Sequence, residues 1–242
     1  MNLSKKLPAF TLIELLVVIA ILAILAALAF PTIGGMIERG NQAKCAGNLK
    51  QFSTALSQAM AENDLRVPFS IANPANSYSG NWELWYSTIA PYLGMPTNIT
   101  DGAVWNGKRP PGVFACPSSK GKIFNAASQA TDYGYNIELH SGIETGTARG
   151  DRLPKISEPS KILIIADSQR FSDPTRVGGR DLAPYYATDP ASGMGTRHGG
   201  KANCLFLDGH VEAIKPADLT EAALKAPGSR FPWPYPWRPP AN

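Results

Sequence analysis

The run from Phe10 to Phe30, FTLIELLVVIAILAILAALAF, constrains this chain more than any other stretch, because every residue in it except Glu14 is uncharged. In the absence of water so long an apolar segment satisfies its backbone only as a helix, and it is long enough to cross a bilayer. Glu14 lies a few residues inside it, where a charge costs about 2.5–3.5 kcal/mol at the centre of a span and less near an end. A carboxylate kept there points to a working role. Lys5 and Lys6 precede the run and predict an N-terminus held on the cytoplasmic side, with the bulk of the chain outside. Two plainer readings compete: an ordinary signal peptide cut after the Ala-rich LAILAALAF, and an uncleaved anchor. The first has a shorter apolar core than this one. The second leaves Glu14 without a reason.

The segment PAFTLIELLVVIAILAILAALAFP, residues 8–31, resembles the N-terminus of type IV pilins and type II secretion pseudopilins. Those proteins carry a short basic leader, a small residue at the cut, then Phe-Thr-Leu-Ile-Glu and an apolar helix. The resemblance makes MNLSKKLPA the leader, with the cut between Ala9 and Phe10 and N-methylation of Phe10. Counted from Phe10, Glu14 is the fifth residue and Pro31 the twenty-second, as in the family. The family usually has Gly before the cut; Ala9 is also small. Prepilin peptidase, like subunits in a helical filament and membrane lipid are the implied partners. Glu14 would pair with the freed amine of a neighbouring subunit, and Pro31 would let the helix bend or stretch. The implied location is the cytoplasmic membrane, single-pass, with the head periplasmic or extracellular once assembled.

Beyond the apolar run, Ile33, Ile37, Cys45, Leu49, Phe52, Leu56 and Met60 recur at steps of three, four or eight, one face of an α-helix. The spacing predicts a helix as far as Glu62. That it is continuous with the first half is implied by the resemblance, giving roughly 80 Å of helix, half in lipid and half on a domain. Pro31 is expected to kink or open it, and Gly34, Gly35, Gly40 and Gly47 to weaken it. The chain then divides into a leader (1–9), a transmembrane and assembly helix (10–31), its amphipathic outer half (32–62), a globular head (63–226) and a tail (227–242). With 44% hydrophobic and 17% charged residues overall, the chain beyond the helix is read as a folded domain rather than disordered. Net charge falls from +4 to +2 once Lys5 and Lys6 are removed. That balance gives no reason to expect nucleic acid.

Within the head, WELWYSTIAPYL reads as a short helix packed by its aromatics, TDYGYNIEL as a strand, and KILIIADS as a buried strand. The phrase ANCLFLDGHVEAIK reads as a hairpin closed by a two-residue type I′ turn at Asp208-Gly209. That turn would set Phe206 opposite Val211 and Cys204 opposite Ala213, and make those four the face that packs on the helix. The predicted fold is α+β: a long N-terminal helix on a small antiparallel sheet with long loops. The tail RFPWPYPWRPP is expected as extended, polyproline-like chain.

Of three cysteines, Cys45 falls on the helix, Cys116 in the loop phrase FACPSSK and Cys204 in an apolar strand. A Cys45–Cys116 disulfide is favoured over pairs using Cys204; all three reduced and buried is the alternative. The head also resembles one bacterial subgroup of these proteins that carries H-X9-DG near the C-terminus, here His198 with Asp208-Gly209, alongside CAGNLKQ, CPSS, YGYN and ADS. A metal bound by His198, Asp208 and His210 with Asp167 is disfavoured, because an extended strand separates His198 from the Asp208 turn. Asp173, Asp181 and Asp189 lack calcium-loop spacing. No cofactor or metal is predicted. No GxSxG, HExxH or phosphate loop occurs, and Asp167-Ser168 with His198 supplies only the residue types of a hydrolase, so no enzyme is predicted. The competing function is a membrane-tethered binding protein using Trp82, Trp85, Trp105 and the Trp-rich tail.

Overall fold

The computed structural model describes residues 11–68, 71–72, 83–95, 112–119, 131–136, 156, 158–169, 181–182, 193–215 and 218; at 29–33, 71–72, 83–84 and 181 only the backbone is described. The chain falls into two compact units, Met1–Gly40 and Asn41–Asn242. One helix, α1 (Leu12–Glu62), supplies the described part of the first and opens the second. It starts at a capping box. Thr11 Oγ1 accepts from the Glu14 N–H (3.3 Å), and Glu14 Oε2 accepts from the Thr11 N–H (2.9 Å) and hydroxyl (2.8 Å). It ends at Glu62: the Met60 carbonyl accepts from the N–H groups of Asn63 and Leu65, with Asp64 and Leu65 left-handed at φ 59° and 56°. The helix assignment is continuous through Pro31.

In the first unit every large apolar side chain from Leu12 to Leu28 is exposed, at 48% to 88%. These residues lie all round the helix, so no single face is spared. Among the described residues no helix is long and apolar enough to cross a membrane; Leu12–Leu28 measures roughly 25 Å at 1.5 Å per residue, against a hydrocarbon core of about 30 Å.

In the second unit α1 is one-sided. Cys45, Leu49, Phe52, Leu56 and Met60 are buried, as are Asn48, Ala55 and Ala59 between them. Ile37, assigned to the same face from its spacing, is instead 59% exposed. It precedes Asn41, where the second unit begins, so a helical repeat alone overstates the packed length.

The head sheet runs β5 (Asp181–Leu182), β3 (Tyr133–Asn136), β4 (Leu163–Gln169), β7 (Ala202–Phe206), β8 (Val211–Ile214), with β6 (Gly193–Met194) also paired to β4. All pairs are antiparallel except β3–β5. A separate two-stranded ladder joins β1 (Ile71–Ala72) to β2 (Glu83–Leu84), and α2 (Trp85–Ile89) follows at once. The fold is therefore α+β, a long N-terminal helix whose outer part packs on a small, mainly antiparallel sheet.

Both sheet faces are apolar. A register shift between Leu163 and Ile165 marks a bulge in β4, which puts Ile164 and Ile165 together on the helix side and Leu163 and Ala166 on the other. On the helix side Phe52 sits among aromatics, its ring 5.0 Å from Phe114, 5.2 Å from Tyr133 and 5.7 Å from Trp85. Such edge and tilted pairs add about 0.5–1.5 kcal/mol each beyond their buried area.

The hairpin corrects the sequence reading. Leu205 faces Val211, Cys204 faces Glu212 and Asn203 faces Ala213, one residue out of the expected register. The loop has three residues, 207–209: the Gly209 N–H donates to Phe206 O (2.9 Å), and the Phe206 N–H to His210 O (3.0 Å). Of the loop residues only Gly209 has positive φ, +87°, so this is a type I turn closed by a left-handed glycine. One extra residue reverses the faces. Leu205 and Leu207 meet the helix side, while Cys204 and Phe206 join Leu163, Leu182 and Met194 on the far side. A Gly-Gly turn of the expected kind occurs earlier. Gly199 (φ +62°) and Gly200 (φ +80°) fold the chain back so that His198 pairs with Lys201.

Candidate functional site

The two halves of H-X9-DG flank β7 and do different things. The Asp208-Gly209 half docks the hairpin on α1. Asp208 Oδ1 accepts from the His210 N–H (3.0 Å) and lies 2.6 Å from His210 Nδ1, while the His210 ring stacks on Phe206 at 4.3 Å. Partial burial works against the charge of Asp208, but the bonds from His210 outweigh it and hold the carboxyl below its ordinary range. Gly209 O accepts from Lys50 Nζ at 2.8 Å. A Cβ on Gly209 would lie 2.6 Å from Ser53 Oγ, so the hairpin tip approaches the helix as closely as only glycine allows.

The His198 half is buried in a polar knot. Cys45 and Cys116 are joined as a disulfide with Cα atoms 5.5 Å apart, and Cys204 is a free buried thiol. His198 Nε2 lies 3.4 Å from Cys116 Sγ and 3.5 Å from Asp167 Oδ2. Asp167 Oδ2 also accepts from the Asn203 N–H (2.7 Å), which ties β4 to β7. Burial pushes the Asp167 carboxyl up against the pull of Arg197, His198 and the Asn203 N–H. Arg197 and Asp132 hold the knot from beside. Asp132 Oδ2 accepts from the Cys116 N–H (2.7 Å) and Oδ1 from Arg197 Nη1 (3.3 Å), while Arg197 Nη2 donates to Asp132 O (2.8 Å) and to Ser168 O. Asn48, on the buried face of α1, donates to Ala115 O (3.2 Å) and bonds Tyr133 Oη (3.0 Å).

His198 and Asp167 thus meet, whereas Asp208 and His210 form a separate, half-exposed pair. Sequence reasoning passed over Asp132, Arg197 and Asn48. The signals were present: an Arg directly before His198, and an Asn three residues after Cys45 on an otherwise apolar helix face. It also passed over Thr11-x-x-Glu14, a capping-box pattern that gives Glu14 a local task at the helix start. Ser168 is fully buried, and so is Trp85, packed against Phe52, Tyr86 and Tyr135; the binding-surface reading loses that tryptophan. Lys5, Lys6, Ala9, Phe10, Trp82, Trp105, Asp173, Asp189 and the tail lie outside the described residues.

No curated protein and no solved structure matches the chain significantly. Residues 8–30 match the family described as a prokaryotic N-terminal methylation motif. That match covers the residues around Ala9, Phe10 and Glu14 and supports a type IV pilin-like protein, made as a precursor for prepilin peptidase.

Proposed function

We propose that the chain is a structural subunit of a type IV pilus-like or type II secretion pseudopilus-like filament, of the subgroup carrying H-X9-DG. The leader is cut between Ala9 and Phe10, and Phe10 is methylated. The N-terminal helix holds the subunit in the cytoplasmic membrane, head outward, and afterwards packs against like helices in the filament. One observation carries this reading: the methylation motif opens a helix whose Leu12–Leu28 side chains are apolar and exposed all round. A helix of that kind needs lipid or other helices around it. The outer part of the same helix is instead spent on its own head. Pro31 supplies the point at which the helix yields on leaving the membrane. The burial of Asp167, Ser168 and His198 favours a structural role over a catalytic one.

Glu14 is assigned the axial contact, its carboxylate meeting the amine that cleavage frees on a neighbouring Phe10. In a low-dielectric bundle such a pair sets register, although desolvation offsets much of its strength. Two substitutions separate this from capping. Glu14→Ala removes both charge and capping box, whereas Glu14→Gln keeps the box and removes the charge. Both are expected to insert and be cut yet stay out of filaments in a shearing assay. Normal assembly of Glu14→Gln would assign Glu14 to helix initiation alone. N-terminal mass spectrometry is expected to find N-methylated Phe10; a chain retaining Met1–Ala9 would sink the processing step.

A further inference from the structure

The His198 knot has a composition that the filament reading does not use. Two sulfurs, an imidazole nitrogen and a carboxylate oxygen, from Cys45, Cys116, His198 and Asp167, all lie within 4.8 Å of one another, and all four residues are buried. They come from α1, the loop before β3, β4 and the turn before β7. Asp167 Oδ1 is buried without a hydrogen-bond partner, an unusual state for a carboxylate oxygen.

We propose that in the reduced protein these four residues bind one divalent metal of zinc type, and that the site and the Cys45–Cys116 disulfide are alternative states of one pocket. Tetrahedral zinc with bonds of about 2.3 Å to sulfur and 2.0–2.1 Å to nitrogen and oxygen places a sulfur about 3.6 Å from a nitrogen ligand, and a nitrogen about 3.3 Å from an oxygen ligand. Cys116 Sγ–His198 Nε2 is 3.4 Å and His198 Nε2–Asp167 Oδ2 is 3.5 Å. Both edges match to about 0.2 Å. The two sulfurs must part, to the roughly 3.8 Å that two thiolates keep on one zinc, and the remaining edges, all within 4.8 Å, close to tetrahedral length around the ion. A dithiol or phosphine reductant supplies two electrons, and two protons complete the two thiols while the reductant is oxidised. Metal binding then releases both thiol protons to solvent. Charge does not oppose the exchange: two thiolates cancel a dication, so with a neutral imidazole the pocket keeps the single negative charge of ionised Asp167. Soft sulfur with imidazole selects zinc-type ions over calcium or magnesium. Every chain is synthesised with free thiols, so a head that folds before its disulfide forms presents the four ligands together.

The test uses the full-length protein in detergent, reduced anaerobically with a phosphine and titrated with Co²⁺. One equivalent should bind with an intense thiolate-to-cobalt absorption and tetrahedral visible bands. Zn²⁺ should displace it, and the loaded protein should resist disulfide re-formation on exposure to air. Asp167→Asn and His198→Ala should each weaken binding more than about tenfold, while Cys204→Ser leaves it unchanged. Native near-ultraviolet circular dichroism of the oxidised variants checks that they fold. Failure of the reduced protein to give the thiolate band, whether it stays folded or unfolds, would overturn the proposal. So would a band of undiminished affinity in His198→Ala.

Discussion

Gly209→Ala tests how the hairpin tip docks on α1. Two costs add. An L-residue at φ +87° sits in the left-handed region at about 1–2 kcal/mol. The new methyl would also lie 2.6 Å from Ser53 Oγ. Ser53 relieves that overlap by leaving its rotamer well, at about 0.5–1.5 kcal/mol. The sum is about 1.5–3.5 kcal/mol, a large share of the 5–15 kcal/mol that holds a typical domain. Urea unfolding followed by tryptophan fluorescence reads it, because Trp85 is fully buried beside Phe52 and Tyr135. Adding Ser53→Ala removes the Oγ and leaves Cβ–Cβ contact at an ordinary 3.9 Å. The double variant should therefore recover about 1 kcal/mol and no more, a coupling that a double-mutant cycle isolates. A loss under about 0.5 kcal/mol would refute the close approach. Complete rescue by Ser53→Ala would refute the backbone term.

Three further outcomes follow from the structure. Cys45→Ala opens a loop of sequence separation 71 and should lower stability by about 4 kcal/mol in metal-free protein on chain-entropy grounds, read as a lower urea midpoint. Gly47→Ala should raise stability by about 0.5–1 kcal/mol, because the residue is exposed within α1 and a Cβ there meets nothing within 4 Å; a lowered melting temperature would contradict this. Asp208 has a depressed folded-state pKa, so its contribution is present above the ordinary carboxylate range and lost as pH falls through its folded value. Asp208→Asn should thus melt slightly below the parent at neutral pH, the gap closing in acid; a gap independent of pH would show that the charge plays no part.

The two halves of the long helix were legible because their determinants are local, an apolar run broken only by Glu14 and a 3.6-residue repeat from Cys45 to Met60; their continuity came from the family resemblance. Strands within TDYGYNIEL and KILIIADS were legible by their length and aromatic or β-branched content, and the structure places them at Tyr133–Asn136 and Leu163–Gln169. The disulfide pairing was only favoured, since placing one cysteine on the helix and another in a loop leaves their distance open. The hairpin was legible as a hairpin, yet its register was not. Asp-Gly suits a two-residue turn and equally a three-residue turn closed by glycine, and one residue decides which side of β7 meets α1. What the chain determines by itself is therefore the apolar first helix, its charged fifth mature residue if cut at Phe10, and the longer strands β3, β4, β7 and β8, while the two-residue strands β1, β2, β5 and β6 exist only through their partners. Tertiary structure alone decided that His198 lies against Cys116 and Asp167, apart from the local pair that Asp208 makes with His210 two residues on. That division depends on Gly199-Gly200 folding back, on the β4 bulge and on Arg197 pinning Asp132. Such contacts join residues far apart in sequence, and no local spacing records them.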